Sequence, residues 1–237
     1  MALRALIGDE FRLLTFQPFT PSRGVHWGGY LAFGLFFTWL AGMGRYWDNP
    51  RAAIWQHLGL GSVAYVFCFS LLLWAILAPL KPERWRYRNV LVFVALTSPP
   101  ALLYAIPVER FMPLGAAQSV NAWFLAVVAA WRVALLVLFL RRSAGLGRFT
   151  ILIAACLPLV LIVNLLTMLN LEHVVFDFMS GVRESQRSPN DTAYGVLFMI
   201  TALSTLLAPA LLVSYGWLVY RVRKFPDPNS AGRLPGG

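Results

Sequence analysis

The 237-residue chain is 59% hydrophobic and only 13% charged, which excludes an ordinary soluble globular domain. Its net charge of +10 is divided among short clusters beside apolar runs, which argues for contact with anionic lipid headgroups, at about 1 kcal/mol per basic residue, and against nucleic acid. Cys68 and Cys156 both lie within apolar runs and lack C-x-x-C spacing, so neither a thiol relay nor a zinc knuckle is supported.

Residues 1–24 form the first segment. From Arg4 to Phe19, Leu6, Phe11, Leu14 and Phe16 are set among Arg4, Asp9, Glu10 and Arg12. This pattern predicts an interfacial helix under the bilayer, with a frayed polar leader as the alternative. Asp9, Glu10, Pro18 and Pro21 interrupt any apolar core of a signal peptide, so the segment is expected to be retained.

A membrane domain over residues 25–220 follows. A hydrocarbon core about 30 Å thick needs roughly 20 apolar residues per helix, and six runs meet that length: Val25 to Gly44, Ile54 to Leu80, Val90 to Val108, Ala122 to Leu140, Phe149 to Leu171 and Ala193 to Tyr220. The fold expected is all-α, a polytopic bundle of six transmembrane helices, several of them proline-kinked. Gly28, Gly29 and Gly34 in the first run, with Gly42 and Gly44, are expected to permit close helix contact.

Between the first two runs, Arg45, Tyr46, Trp47, Asp48 and Arg51 form a candidate interaction site. Tyr46 and Trp47 suit interfacial anchoring, and Asp48 or Asn49 can cap the next helix. The functional alternative is a charged rim presented to a partner or substrate. His57, Glu172, His173 and Asp177 fall on the same side and are ligand types for zinc, but no H-E-x-x-H or other metal spacing joins them. No catalytic, cofactor or metal residue is therefore assigned. Gly59-Leu60-Gly61-Ser62 is followed by Val63 and so lacks the rhomboid nucleophile turn, and the paired glutamates of intramembrane prenyl-protein proteases are absent from the sequence.

Arg132 is the one formal charge deep in a run, where insertion costs about 2.5 to 3.5 kcal/mol unless it finds a partner. Pro99, Pro100, Pro158 and Pro209 fall at nearly its depth. A proline frees the carbonyl four residues earlier, here those of Ala95, Leu96, Ala154 and Thr205, and a guanidinium has five donors to offer. A polar layer of Arg132 against proline-broken helices is one reading; the other is that Arg132 snorkels toward the basic side. In the fifth run, Asn164, Thr167 and Asn170 make a polar stripe suited to interhelical hydrogen bonds. Residues 221–237 are rich in Pro and Gly and are expected to be a disordered cytoplasmic tail.

Sidedness follows from the basic residues. Fourteen lie in the N-terminal segment, the second-third loop, the fourth-fifth loop and the tail, against five in the alternate loops. Short basic loops stay in the cytoplasm, so both termini should be cytoplasmic in a bacterial inner membrane.

The stretch from Lys81 to Pro158, about a third of the chain, resembles the Yip-domain family of multi-pass membrane proteins. The resemblance rests on Trp85-Arg86-Tyr87-Arg88-Asn89-Val90, Ser98-Pro99-Pro100, Ile106-Pro107, the Trp123 run and Leu157-Pro158. It implies a role in membrane trafficking or organisation; the acidic cytoplasmic motif of the eukaryotic members is absent, and Yip proteins more often have five spans. The reading from the residues is a non-enzymatic scaffold or partner subunit of a membrane complex, contacting lipids and either a membrane-protein partner or further copies of itself. The alternative is a small transporter or channel subunit with a polar layer around Arg132.

Overall fold

The computed structural model describes residues 2–18, 26–44, 54, 58–82, 85–180 and 191–225, and the regular structure among them is helical throughout. In hydrocarbon no water is available to backbone amides and carbonyls, so an apolar run can satisfy them only within itself, as a helix. The helices are α1 (Ala2–Leu14), α2 (Trp27–Gly44), α3 (Leu60–Leu77, prolonged by a 3₁₀ turn, Ala78–Leu80), α4 (Tyr87–Leu96), α5 (Leu114–Arg142), α6 (Arg148–Ser180) and α7 (Asp191–Lys224). Two 3₁₀ segments, Pro99–Ala105 and Val108–Arg110, separate α4 from α5.

Four helical stretches are long and apolar enough to cross a membrane: Leu60–Leu80, Gly115–Arg142, Arg148–Leu165 and Met199–Lys224. A fifth is obtained when α4 and Pro99–Ala105, bent by 41° to one another, are taken as one span. The first of the six expected runs does form a helix, α2. Its five glycines, with Trp27, Tyr30 and Trp39, dilute its apolar character, and it is not among the four.

The break after α4 has a local cause. Pro99 and Pro100 have no amide to donate, so the carbonyls of Ala95 and Leu96 lose their usual helical partners, although Ser98 itself keeps helical angles (φ −83°, ψ −32°). The helix accordingly closes on itself: the Thr97 amide bonds to the carbonyls of Phe93 and Val94, and the Ser98 amide to that of Ala95. The chain then continues as a 3₁₀ helix. Pro158 and Pro209 instead lie inside α6 and α7, whose helical assignment runs through them.

Helix α4 is the centre of the packing. Val90, Leu91, Phe93, Val94, Ala95 and Leu96 are each no more than 6% exposed, enclosed by α2 and α3 and by Leu135, Leu136 and Leu140 of α5. Helix α2 approaches α4 very closely, because a Cβ at Gly34 would lie 2.5 Å from the Ala95 carbonyl carbon. Gly42 and Gly44 likewise abut Ser62 and Ala105, whereas Gly28 faces only His26. The approach lets the Thr38 hydroxyl reach that of Ser98 at 2.6 Å, both buried.

Helices α6 and α7 pair with each other. Asn164 is bonded by the Thr205 hydroxyl at 2.6 Å, the kind of interhelical bond expected of the polar stripe; the Thr167 and Asn170 side chains lie outside the described ones. Tyr215 ties α7 to α3 by donating to the Ile76 carbonyl at 2.8 Å. Leu80, Ile153 and Leu218 form one small core cluster, and Trp85 bonds the Trp74 carbonyl while lying 6.0 Å from Phe139. The ends of α3, α5 and α7 therefore share one end of the bundle with the starts of α4 and α6. Arg86, Arg88, Arg141, Arg142, Arg148, Arg221, Arg223 and Lys224 lie in these stretches, which makes it the basic end.

Candidate functional site

The charge within the fourth apolar run is engaged. Arg132 is half-buried on α5, and its Nε donates to the Thr97 carbonyl at 3.0 Å. Thr97 caps the carboxyl end of α4, where the last helical carbonyls lack intrahelical partners and carry partial negative charge. The cation therefore sits where a helix terminus favours one. The guanidinium also lies within electrostatic range of the Tyr65 hydroxyl on α3.

Both partners of the Arg132–Thr97 bond lie far from the basic end. Arg132 is ten residues, or about 15 Å of helical rise, from Arg142, and Thr97 is ten residues from Tyr87 at the start of α4. The head is thus held at the far end of α4 rather than at the basic end.

Of the prolines expected at this depth, Pro99 and Pro100 are brought to Arg132, through the helix break that exposes the Thr97 carbonyl. Pro158 is fully buried and Pro209 is exposed on α7, and Arg132 makes no bond to the carbonyl of Ala154 or Thr205. The Ala95 carbonyl, released by the missing Pro99 amide, is taken by the Ser98 amide instead. The carbonyl that Arg132 takes is that of Thr97, two residues beyond Ala95 and one beyond Leu96, the positions that the four-residue rule indicates.

Replacing Arg132 with leucine leaves the Thr97 carbonyl without its donor. An unsatisfied buried group costs about 1–3 kcal/mol, so the thermal midpoint of the purified protein in detergent should fall by several degrees. An unchanged midpoint would show that the bond contributes nothing.

The outer-face candidates Arg45, Tyr46, Trp47, Asp48 and Arg51 lie outside the described residues. So does His57, and so do the side chains of Glu172, His173 and Asp177. Cys68 is exposed and Cys156 half-buried, and both are free thiols.

A second polar feature, missed from the sequence, is on α1. At about 100° per residue, its side chains divide into three arcs. Leu3, Ile7 and Phe11 are 64%, 51% and 65% exposed and form an apolar stripe one turn apart. Arg4, Gly8 and Arg12 form the next arc, and Leu6, Asp9, Glu10 and Leu13 are buried against the bundle. Tyr30 of α2 donates to the Asp9 carboxylate. Trp131 donates to the Leu14 carbonyl at 3.0 Å and Arg142 to the Phe16 carbonyl at 2.9 Å, so α1 is fastened to α2 and α5.

Glu10 is the exception in this docked face. It is 5% exposed and neither carboxyl oxygen has a hydrogen-bond partner. Burial disfavours the charged form and pushes its pKa up to about 8. At neutral pH the group is therefore held mainly as the neutral acid.

Comparison of the chain with protein-family models, with curated proteins and with solved structures finds no match. The likeness of Lys81 to Pro158 to the Yip-domain family thus gains no support beyond the residues that carry it.

Proposed function

We propose that the chain is a six-span integral protein of a bacterial inner membrane, with both termini in the cytoplasm. On this reading it acts without catalysis, as a scaffold or partner subunit of a membrane complex. The supporting observation is the use made of polar side chains inside the bundle. Thr38 joins α2 to the segment after α4, Arg132 joins α5 to α4, Tyr215 joins α7 to α3, and Thr205 joins α7 to α6. Each fastens one helix to another, which is the service a rigid packing platform requires.

Helix α7 supplies a surface for such a role. Met199, Leu206 and Val213 are spaced seven residues apart, close to two helical turns, and are 73%, 78% and 74% exposed. A line of this kind suits a neighbouring helix, and membrane organisation, which the Yip resemblance implies, is compatible with it. Extraction in a mild detergent followed by affinity purification tests the reading: a stoichiometric membrane partner is expected to co-purify. The alternative, a small transporter or channel subunit, draws on the Arg132 and Pro99-Pro100 arrangement. It would be favoured instead by a homo-oligomer enclosing a wet cavity.

A further inference from the structure

A cavity of about 990 Å³ opens at the basic end between α4 and α5, with the ends of α1 and α2 contributing to its wall. That volume is at the upper end of the roughly 300–1,000 Å³ typical of small-molecule sites. Its two main walls change character with depth in the same sense. Along α4 the lining runs from Arg88 and Asn89 to Val92 and Leu96; along α5 it runs from Ser143 and Arg142 back to Leu138 and Leu135. Each wall passes from polar to apolar over about 11–12 Å at the helical rise. Phe93 and Phe139, stacked with centroids 4.0 Å apart, bridge the two helices and also line the space.

The charges at the mouth are uncompensated. Arg88 lies over the Trp27 ring, 5.8 Å from its centroid, a cation–π contact that holds it without neutralising it. Arg142 uses one donor on the Phe16 carbonyl out of the five a guanidinium offers. Among the described residues neither has a carboxylate partner. The amino end of α4 adds the partial positive charge of its first turn.

We propose that this cleft is a binding site for a phospholipid with an anionic headgroup, its phosphate held by Arg88 and Arg142 and an acyl chain lying along Val92, Leu96, Leu135 and Leu138. Two guanidiniums match phosphate geometry, and the apolar depth matches a hydrocarbon tail. Basic pockets between membrane helices on the cytoplasmic side recognise anionic headgroups in this manner. The site rests on the membrane reading above, with the basic end at the cytoplasmic leaflet.

The test is made on delipidated full-length protein in a non-ionic detergent, with dioleoyl phosphatidylglycerol and dioleoyl phosphatidylcholine as probes. Lipid adducts are counted by native mass spectrometry and thermal midpoints recorded in parallel. One phosphatidylglycerol is expected to remain bound and to raise the midpoint, with phosphatidylcholine at least fivefold weaker. Arg88→Gln is expected to remove that preference, and Leu138→Trp, which fills the cleft, to weaken both lipids. Arg88 carries the decision, because it is exposed and Arg142 also secures Phe16.

Equal binding of the two lipids, or an unchanged preference in Arg88→Gln, would overturn the proposal. Equal protection by glycerol 1-phosphate would overturn it too, by making the site one for a soluble anion. The measurement is independent of sidedness, so a failed lipid site and a failed topology are separable.

Discussion

Replacing Gly34 with leucine is expected to abolish recovery of folded protein, whereas Gly216→Ala should be recovered at normal yield. A Cβ at Gly34 would lie 2.5 Å from the carbonyl carbon of Ala95, 2.7 Å from its Cβ and 2.7 Å from its carbonyl oxygen. Two of those atoms are backbone of α4, six of whose ten residues are buried, so no side-chain rotation relieves the overlap. Relief requires α2 to move off α4, which breaks the buried Thr38 to Ser98 bond and opens a void beside Ala95 and Leu96. Overpacking alone costs about 1–3 kcal/mol, and the orphaned hydroxyls add to it.

At Gly216 a Cβ would meet nothing within 4 Å. Alanine there also gains up to about 1 kcal/mol in helix propensity. Monodispersity on size exclusion after detergent extraction separates the two outcomes. Normal recovery of Gly34→Leu would mean that α2 and α4 are not in the contact described.

The second large effect is pH-dependent and centres on Glu10. Below about pH 4.5 the carboxyl is protonated whether or not the chain is folded. Between about 4.5 and 8 only the unfolded form ionises, so the docked state loses stability as pH rises, by up to about 1.4 kcal/mol per pH unit. Above about 8 the docked form ionises as well and the loss levels off.

Glu10→Gln removes this term. Its thermal midpoint should equal that of the wild type near pH 4.5 and exceed it by a growing margin up to about pH 8. Taking the difference between the two proteins cancels titration elsewhere, including Asp9 with its Tyr30 partner. Parallel curves across pH 5 to 9 would show that Glu10 is not buried without a partner.

The long helices were legible in the sequence, because an apolar run long enough to cross a membrane can satisfy its own backbone there only as a helix. Helices α5, α6 and α7 enclose the expected runs. The position of the break in the third run was legible from Pro99 and Pro100. Its chemical consequence was not, since the carbonyl presented to Arg132 depends on how the last turn of α4 closes on itself, and Ser98 takes the Ala95 carbonyl first.

Glu10 was illegible for a different reason. In α1 both Leu3-Ile7-Phe11 and Leu6-Leu13 are apolar lines one or two turns apart, so helical periodicity allows either to face the bundle. Only the tertiary contacts, Tyr30 on Asp9 and Trp131 on Leu14, select the second and carry Glu10 inward with it. Asn164 could be seen as polar on its own helix, yet Thr205, its partner, lies 41 residues away on another.

Sidedness is the most exposed element of the proposed function, and single-cysteine accessibility in spheroplasts tests it most directly. In a chain with Cys68 and Cys156 replaced by alanine, Asn49→Cys and Ser188→Cys are expected to react with a membrane-impermeant maleimide in intact spheroplasts. Ser143→Cys and Ser230→Cys are expected to react only after permeabilisation. Labelling of Ser230→Cys in intact spheroplasts, or protection of Ser188→Cys, would contradict six spans with both termini in the cytoplasm.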